Sequence, residues 1–252
     1  MKPGRKIALI GNGNVAHHLI GWFRGAGHVI TSIYTRNNAV SDKSQVRNSL
    51  DYQNENVDFI VISVKDDAVG EIANSLRNTG SAVIVHTSGT IPMDIFADKE
   101  NYGVLYPLQT LQKEKAIDIH KVPFLIEGNN EAALSKIDGL CASCGIHRRE
   151  VSSENRLLYH ISAVISANFT NFLLHISQKN LASSGLDAAI LKPLIEETVS
   201  KAFSQGAYES QTGPARRKDL ATIDKHISLI EDTNHKEIYR LISESIISEY
   251  HG

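Results

Sequence analysis

Short, continuous apolar runs alternate with amphipathic stretches from the N-terminus to about residue 150. The runs are Lys6–Ile10, His28–Thr35, Val57–Val64, Ser81–His86, Gly103–Leu105 and Pro123–Glu127, rich in Val and Ile. Unbroken apolar runs, rather than apolar–polar alternation, predict strands covered on both faces. Between them, helical spacing predicts helices over Val15–Arg24, Asp66–Leu76, Pro92–Phe96 and Glu131–Cys144. Strand–helix alternation of this kind predicts an α/β fold, doubly wound around a mainly parallel sheet.

From Ser152 onward the strand signal ends. Leu157, Ile161, Val164, Ile165, Asn168, Phe172 and Ile176 repeat at helical spacing within Glu154–Ser183. Ser152 or Ser153 is placed to cap its start and Gly185 to stop it. Asp187 caps a second helix to about Gln205, Asp219 a third to about Glu231, and Thr233 or Asn234 a fourth to about Tyr250. The expected division is therefore an α/β domain over residues 1–150 and an all-α domain over 151–252.

The 252 residues are 42% apolar and 21% charged, with a net charge of −2, an ordinary globular balance. Nothing in this charge suggests a nucleic-acid partner, which would call for a basic face. No stretch approaches the roughly 18 uninterrupted apolar residues of a membrane helix, so no membrane association is expected. With two cysteines there is no disulfide framework, and a cytoplasmic location is the default expectation. Cys141 and Cys144 have redox-pair spacing, but at the end of an amphipathic helix they read better as core thiols, and no metal site is predicted.

The first run leads into Gly11-Asn12-Gly13-Asn14-Val15-Ala16 and then a helix. In a G-x-G-x-x-G/A turn the first glycine permits the bend and the second lets backbone approach a pyrophosphate. The third small residue lets helix and strand pack closely. Exposed amides and the positive end of the helix then attract phosphate. The second strand ends in Thr35-Arg36-Asn37, with no acid between Ile10 and Ser41 to bind a ribose 2′-hydroxyl. An arginine beside a hydroxyl and an amide suits a 2′-phosphate, so NADP(H) is the expected cofactor; a solvated loop arginine is the alternative.

Four stretches carry a family resemblance: "VIVHTSGT" (Val83–Thr90), "YPLQTL" (Tyr106–Leu111), "YHISAVISANFTNFL" (Tyr159–Leu173) and "TGPARRKDLATIDKH" (Thr212–His226). The chain resembles a bacterial family of Rossmann-like proteins with a C-terminal helical domain of unknown function, assigned as NADP oxidoreductases. That family is related to pyrroline-carboxylate reductase, ketopantoate reductase and the β-hydroxyacid dehydrogenases. The resemblance implies a Rossmann-like cofactor domain, a helical domain closing a substrate crevice, and a homodimer through the helical domain. Three positions depart from the pattern: Tyr106 stands where a histidine is expected, Lys218 where a glycine is, and Lys65 where a proline is.

In such a fold ligands lie beyond the C-terminal ends of the strands. Val64, Lys65, Ser88 and Gly89 are therefore candidate cofactor contacts, with Gln109 and Thr110 on the substrate side. His86 is either a proton carrier or a hydrogen-bonded residue orienting its loop. His160, Val164 and Asn168 fall on one helix face. In the related β-hydroxyacid dehydrogenases a lysine four residues before the helix asparagine serves as acid/base; here that position is Val164, which leaves His160 as candidate acid/base and Asn168 as a positioning group. Arg217 is the candidate anion-binding residue of the "TGPARRKD" loop, with Arg216 and Lys218 expected in solvent. The expected function is NADP(H)-dependent oxidation or reduction of a small carbonyl, hydroxy acid or imine; the alternative is a non-catalytic NADP(H)-binding sensor.

Overall fold

Alternate residues of the first apolar run enter opposite sides of one sheet. In the computed structural model, which describes residues 4–35, 46–47, 56–77 and 79–252, this run is β1 (Lys6–Ile10). Ile7 and Leu9 join one core, Ala8 and Ile10 the other. The next strands are β2 (Val29–Tyr34), β3 (Val46–Arg47), β4 (Phe59–Ile62) and β5 (Val83–His86). β6 (Tyr102–Pro107), β7 (Phe124–Gly128) and β8 (Arg148–Glu150) complete the sheet. Their order is β3-β2-β1-β4-β5-β6-β7-β8, parallel throughout except where β6 meets β7. The first six follow the 3-2-1-4-5-6 order of the Rossmann fold, with its switch point between β1 and β4. Phe59 and Val61 of β4 share the core of Ile7 and Leu9, while Ile60 and Ile62 face the other way. This double burial accounts for the unbroken apolar runs.

Two helices cover the face of Ile7 and Leu9. One is α1 (Asn14–Gly25), which buries Ala16, Leu19 and Phe23. Helix α2 (Asp66–Ser75) lies on the other face with Val69, Ile72 and Ala73. Helix α3 (Glu131–Ser143), capped by Asn130, joins α1 through Ala133, Ile137 and Leu140. The helix expected over Pro92–Phe96 is a 3-10 turn, Met93–Phe96. β8 was not foreseen, because Arg148-Arg149-Glu150 is exposed and has no apolar signature. Charge on an edge strand discourages pairing with other chains.

The chain forms two compact units, Met1–Ala167 and Asn168–Gly252. Helix α4 (Ser153–Ala163) belongs to the first, with Ser152 accepting the amide of Asn155 as its cap. The single helix expected over Glu154–Ser183 is broken by a π turn at Val164–Phe169, before α5 (Thr170–Ala182). Together Ser153–Ala182 are long and apolar enough, by length and composition alone, to cross a membrane.

In the second unit, Gly185 at φ +68° ends α5. A 3-10 turn at Ala188–Leu191, capped by Asp187, precedes α6 (Lys192–Gln205). Helix α7 (Leu220–Leu229) is capped by Asp219, which accepts the amide of Thr222 at 3.1 Å. The cap of α8 (Thr233–His251) is Asp232, not Thr233 or Asn234; its carboxylate accepts the amides of Asn234 and His235. A carboxylate at this end also complements the helix dipole.

Candidate functional site

Gly11 leaves β1 at the switch point. Its amide bonds the carbonyl of Tyr34 at 2.8 Å, and its φ is +119°. A Cβ here would stand 1.9 Å from the carbonyl oxygen of Ser63, so only glycine lets the end of β1 lie against β4. Val64 packs beside it. A Cβ on Gly13, by contrast, would meet nothing within 4 Å, so the protein's own packing does not require that glycine. Ala16 is fully buried between α1 and the sheet.

The amides of Gly13, Asn14, Val15 and Ala16 have no backbone acceptor among the described residues, and no acid lies in the first turn of α1. Open donors at the positive end of a helix, with space above Gly13, fit a pyrophosphate. Thr35 follows β2 at the neighbouring strand end; Arg36 and Asn37 lie outside the described residues. Lys65 is exposed as the residue preceding α2.

His86 ends β5 on the side of Ile84, and it is fully buried beside Phe96. Its Nδ1 accepts the amide of Ser88 at 3.2 Å, while its Nε2 completes no hydrogen bond among the described residues. Burial, reinforced by the Arg156 charge, lowers its pKa to about 3. The imidazole is thus neutral and enclosed and holds the amide of Ser88. Ser88 is likewise spent on the turn, its hydroxyl accepting the amides of Thr90 and Ile91. Thr90 in turn donates to Asp66 at the start of α2.

Gly89 is where three elements meet. Tyr106 near the end of β6 lies 3.0 Å from His160 Nδ1 on α4. A Cβ on Gly89 would stand 2.5 Å from that same Nδ1 and 2.9 Å from Tyr106 Cζ. Burial, partly opposed by the Arg156 charge, raises the pKa of Tyr106, so its hydroxyl stays protonated at neutral pH. With that hydroxyl as donor to Nδ1, the ring proton sits on Nε2, which bonds nothing among the described residues.

One turn before His160, Arg156 is 1% exposed and anchors α4. It bonds Glu127 of β7 at 2.6 Å, the carbonyl of Ile91 and the hydroxyl of Ser153. Glu127 also accepts the amide and hydroxyl of Ser153. One buried network thus ties the 88–91 turn, β7 and the start of α4 together, and His160 follows on the same helix face.

Gln109 and Thr110 are exposed beyond β6. The amide oxygen of Gln109 accepts the backbone amide of Thr110 at 2.8 Å. Asn168 lies exposed within the π turn, in the second unit. Arg217 also lies in that unit, closing the 3-10 turn Ala215–Arg217. Lys218 after it takes φ +56°, the left-handed conformation for which the resembled family uses glycine. Arg216 is not simply solvated: its guanidinium stacks 4.3 Å from the Tyr250 ring centroid.

The chain therefore brings together Gly89, Tyr106 and His160, and separately an open glycine turn. Tyr106 was visible in the sequence only as a departure before Pro107. The Glu127–Arg156 pair, 29 residues apart, left no local signal.

Comparison with known proteins fits this geometry. Residues 5–121 match a family described as a CoA binding domain. Residues 122–246 match one described as a domain of unknown function, DUF2520. No curated protein matches the chain. Among solved structures, a proposed NADP oxidoreductase from Bacteroides fragilis is 29% identical, with a TM-score of 0.90 over 98% of this chain and 99% of that one. Plasmodium falciparum pyrroline carboxylate reductase, with NADP bound, is 14% identical, TM-score 0.62, over 97% and 99%. A reductive aminase from Aspergillus terreus, in complex with NADPH and ethyl-5-oxohexanoate, is 14% identical, TM-score 0.75, over 99% and 96%. At 14% identity the last two show the fold alone. The chain is thus a Rossmann-like protein whose first part matches a CoA binding domain and whose second part matches DUF2520.

Proposed function

We propose that the protein is an NADP(H)-dependent oxidoreductase acting on a small carbonyl, hydroxy acid or imine. The observation that carries this reading is the Tyr106–His160 pair resting on Gly89, on the same sheet edge as the open glycine turn. Ile10, Ile62 and His86 pair in register across β1, β4 and β5, so the strand ends are level. The amides from Gly13 to Ala16 hold the pyrophosphate. A reduced nicotinamide supplies a hydride when bound. His160 Nε2–H gives its proton to the substrate oxygen or nitrogen as negative charge develops there, while the Tyr106 hydroxyl passes its proton to Nδ1 and regains one from solvent, so the imidazole stays neutral. Tyr106 fixes the tautomer through Nδ1, and Gly89 leaves room for both rings.

The test is calorimetric binding of NADPH, then near-ultraviolet absorbance with keto acids, aldehydes and cyclic imines. Turnover should fall about a hundredfold in His160→Ala and about tenfold in Tyr106→Phe, with NADPH affinity retained. Absence of NADPH binding overturns the reading. The CoA-binding match makes coenzyme A, which shares the adenosine diphosphate moiety, a necessary competitor in the same titration. Val164, at the position of the relatives' acid/base lysine, favours the second reading, a non-catalytic sensor. Tight NADPH binding without turnover across the panel would establish that one.

We also infer a homodimer through the helical unit. Large apolar side chains there stand open, with Phe203 90% and Ile190 78% exposed, more than an independent soluble surface ordinarily carries.

A further inference from the structure

The segment after β6 is laid along α1. Leu108 donates its amide to the Pro123 carbonyl at 2.9 Å. Two side chains one turn apart on α1 then take up the segment's carbonyls. His18 Nε2 lies 2.9 Å from the carbonyl oxygen of Gln112, and the indole N–H of Trp22 donates to that of Ile117 at 3.2 Å. Lys113 follows Gln112, and its ammonium donates to the carbonyl of Asn12, inside the glycine turn, at 2.6 Å. The sequence places these two residues 101 positions apart.

That is an unfavourable place for a cation in the protein alone. The positive end of α1 is adjacent, and its first turn has no acid to offset the charge. Among the described residues, no carboxylate lies within ion-pair distance of Lys113 Nζ. A single carbonyl engages one of three ammonium donors. An anion at the mouth of the turn would supply both the counter-charge that the ammonium lacks among the described residues and an acceptor for the open amides from Gly13 to Ala16.

We propose that Lys113 is a cofactor-binding residue, its ammonium donating to the pyrophosphate of a dinucleotide held by the glycine turn. This rests on the dinucleotide reading above. A pyrophosphate contact is common to NADPH and NADH, so Lys113 sets affinity without discriminating between them. That separates its role from any group that reads the ribose phosphate.

The experiment titrates NADPH and NADH into the wild-type protein, Lys113→Met and Lys113→Gln, at several salt concentrations. Circular dichroism and thermal melts without nucleotide check that both variants are folded. Expected are about tenfold weaker binding of both nucleotides and a shallower salt dependence, since one screened charge contact has gone. Unchanged affinity in both variants overturns the proposal while leaving the wild-type cofactor reading intact. A loss confined to NADPH moves the contact to the 2′-phosphate and overturns it. A loss with unaltered salt dependence means that Lys113 only clamps the Asn12 loop, which overturns it too. If the wild-type protein binds neither nucleotide, the cofactor reading falls and this inference falls with it.

Discussion

Single side chains here carry consequences that depend on where their protons and backbones are held. His86 has its pKa lowered to about 3 by burial and by the Arg156 charge. The unfolded chain therefore binds a proton that the folded chain refuses between about pH 6.5 and the folded value. Its contribution to stability is complete above pH 6.5 and is lost progressively as pH falls toward 3. Thermal melts of His86→Asn, whose amide oxygen can still accept the Ser88 amide, should show a flatter acid limb than the wild type. Cys141 and Cys144 are buried, with pKa values pushed up to about 12 and about 11, burial being the main cause in each. Both should resist iodoacetamide at neutral pH in the folded protein and react promptly in denaturant. Lys218 holds a left-handed backbone at φ +56°. Lys218→Gly should gain about 1 kcal/mol in chemical denaturation. The sequence exposed this last point through a resemblance, whereas the protonation of His86 follows from three-dimensional enclosure that no local pattern reports.

At the scale of elements, strand runs and helix periodicity were legible because burial on both faces of a sheet, or one face of a helix, writes a period into the chain. The caps Ser152, Asp187 and Asp219 were legible from residue type, while that of α8 is Asp232, just before the expected Thr233 or Asn234. The glycine turn was legible for the same reason: backbone geometry restricts which residues can stand there. β8 was not, because an edge strand of charged residues has no apolar period to display. The π turn at Val164–Phe169 was also hidden, since its apolar residues continue the helical pattern while the bonding register shifts. Nor could the sequence show what holds α4, because Arg156 and Glu127 meet only after β7 and α4 are in place. Arg156→Met leaves Glu127 charged and nearly enclosed, and should cost about 3–5 kcal/mol. Adding Glu127→Leu should recover much of that loss in urea denaturation, since a buried ion pair is worth little more than a well-packed apolar one. Gly89→Ala should leave the thermal midpoint near that of the wild type yet lower turnover, because the new methyl displaces His160 and Tyr106 from each other.

For the molecule as a whole, the proposed homodimer rests on the open apolar side chains of the helical unit. Sedimentation should find twice the mass of one chain, 27.7 kDa, and Phe203→Glu with Ile190→Glu should shift the protein toward one chain. A wild-type protein that sediments as a single chain at every concentration would remove the dimer from the account. Trp22, the only tryptophan in 252 residues, is joined through its indole N–H to the segment that carries Lys113. Emission from the entire chain excited at the indole band therefore originates on α1, against the loop that carries Lys113. The protein carries its own optical gauge of that loop, so its seating can be followed in real time without a label.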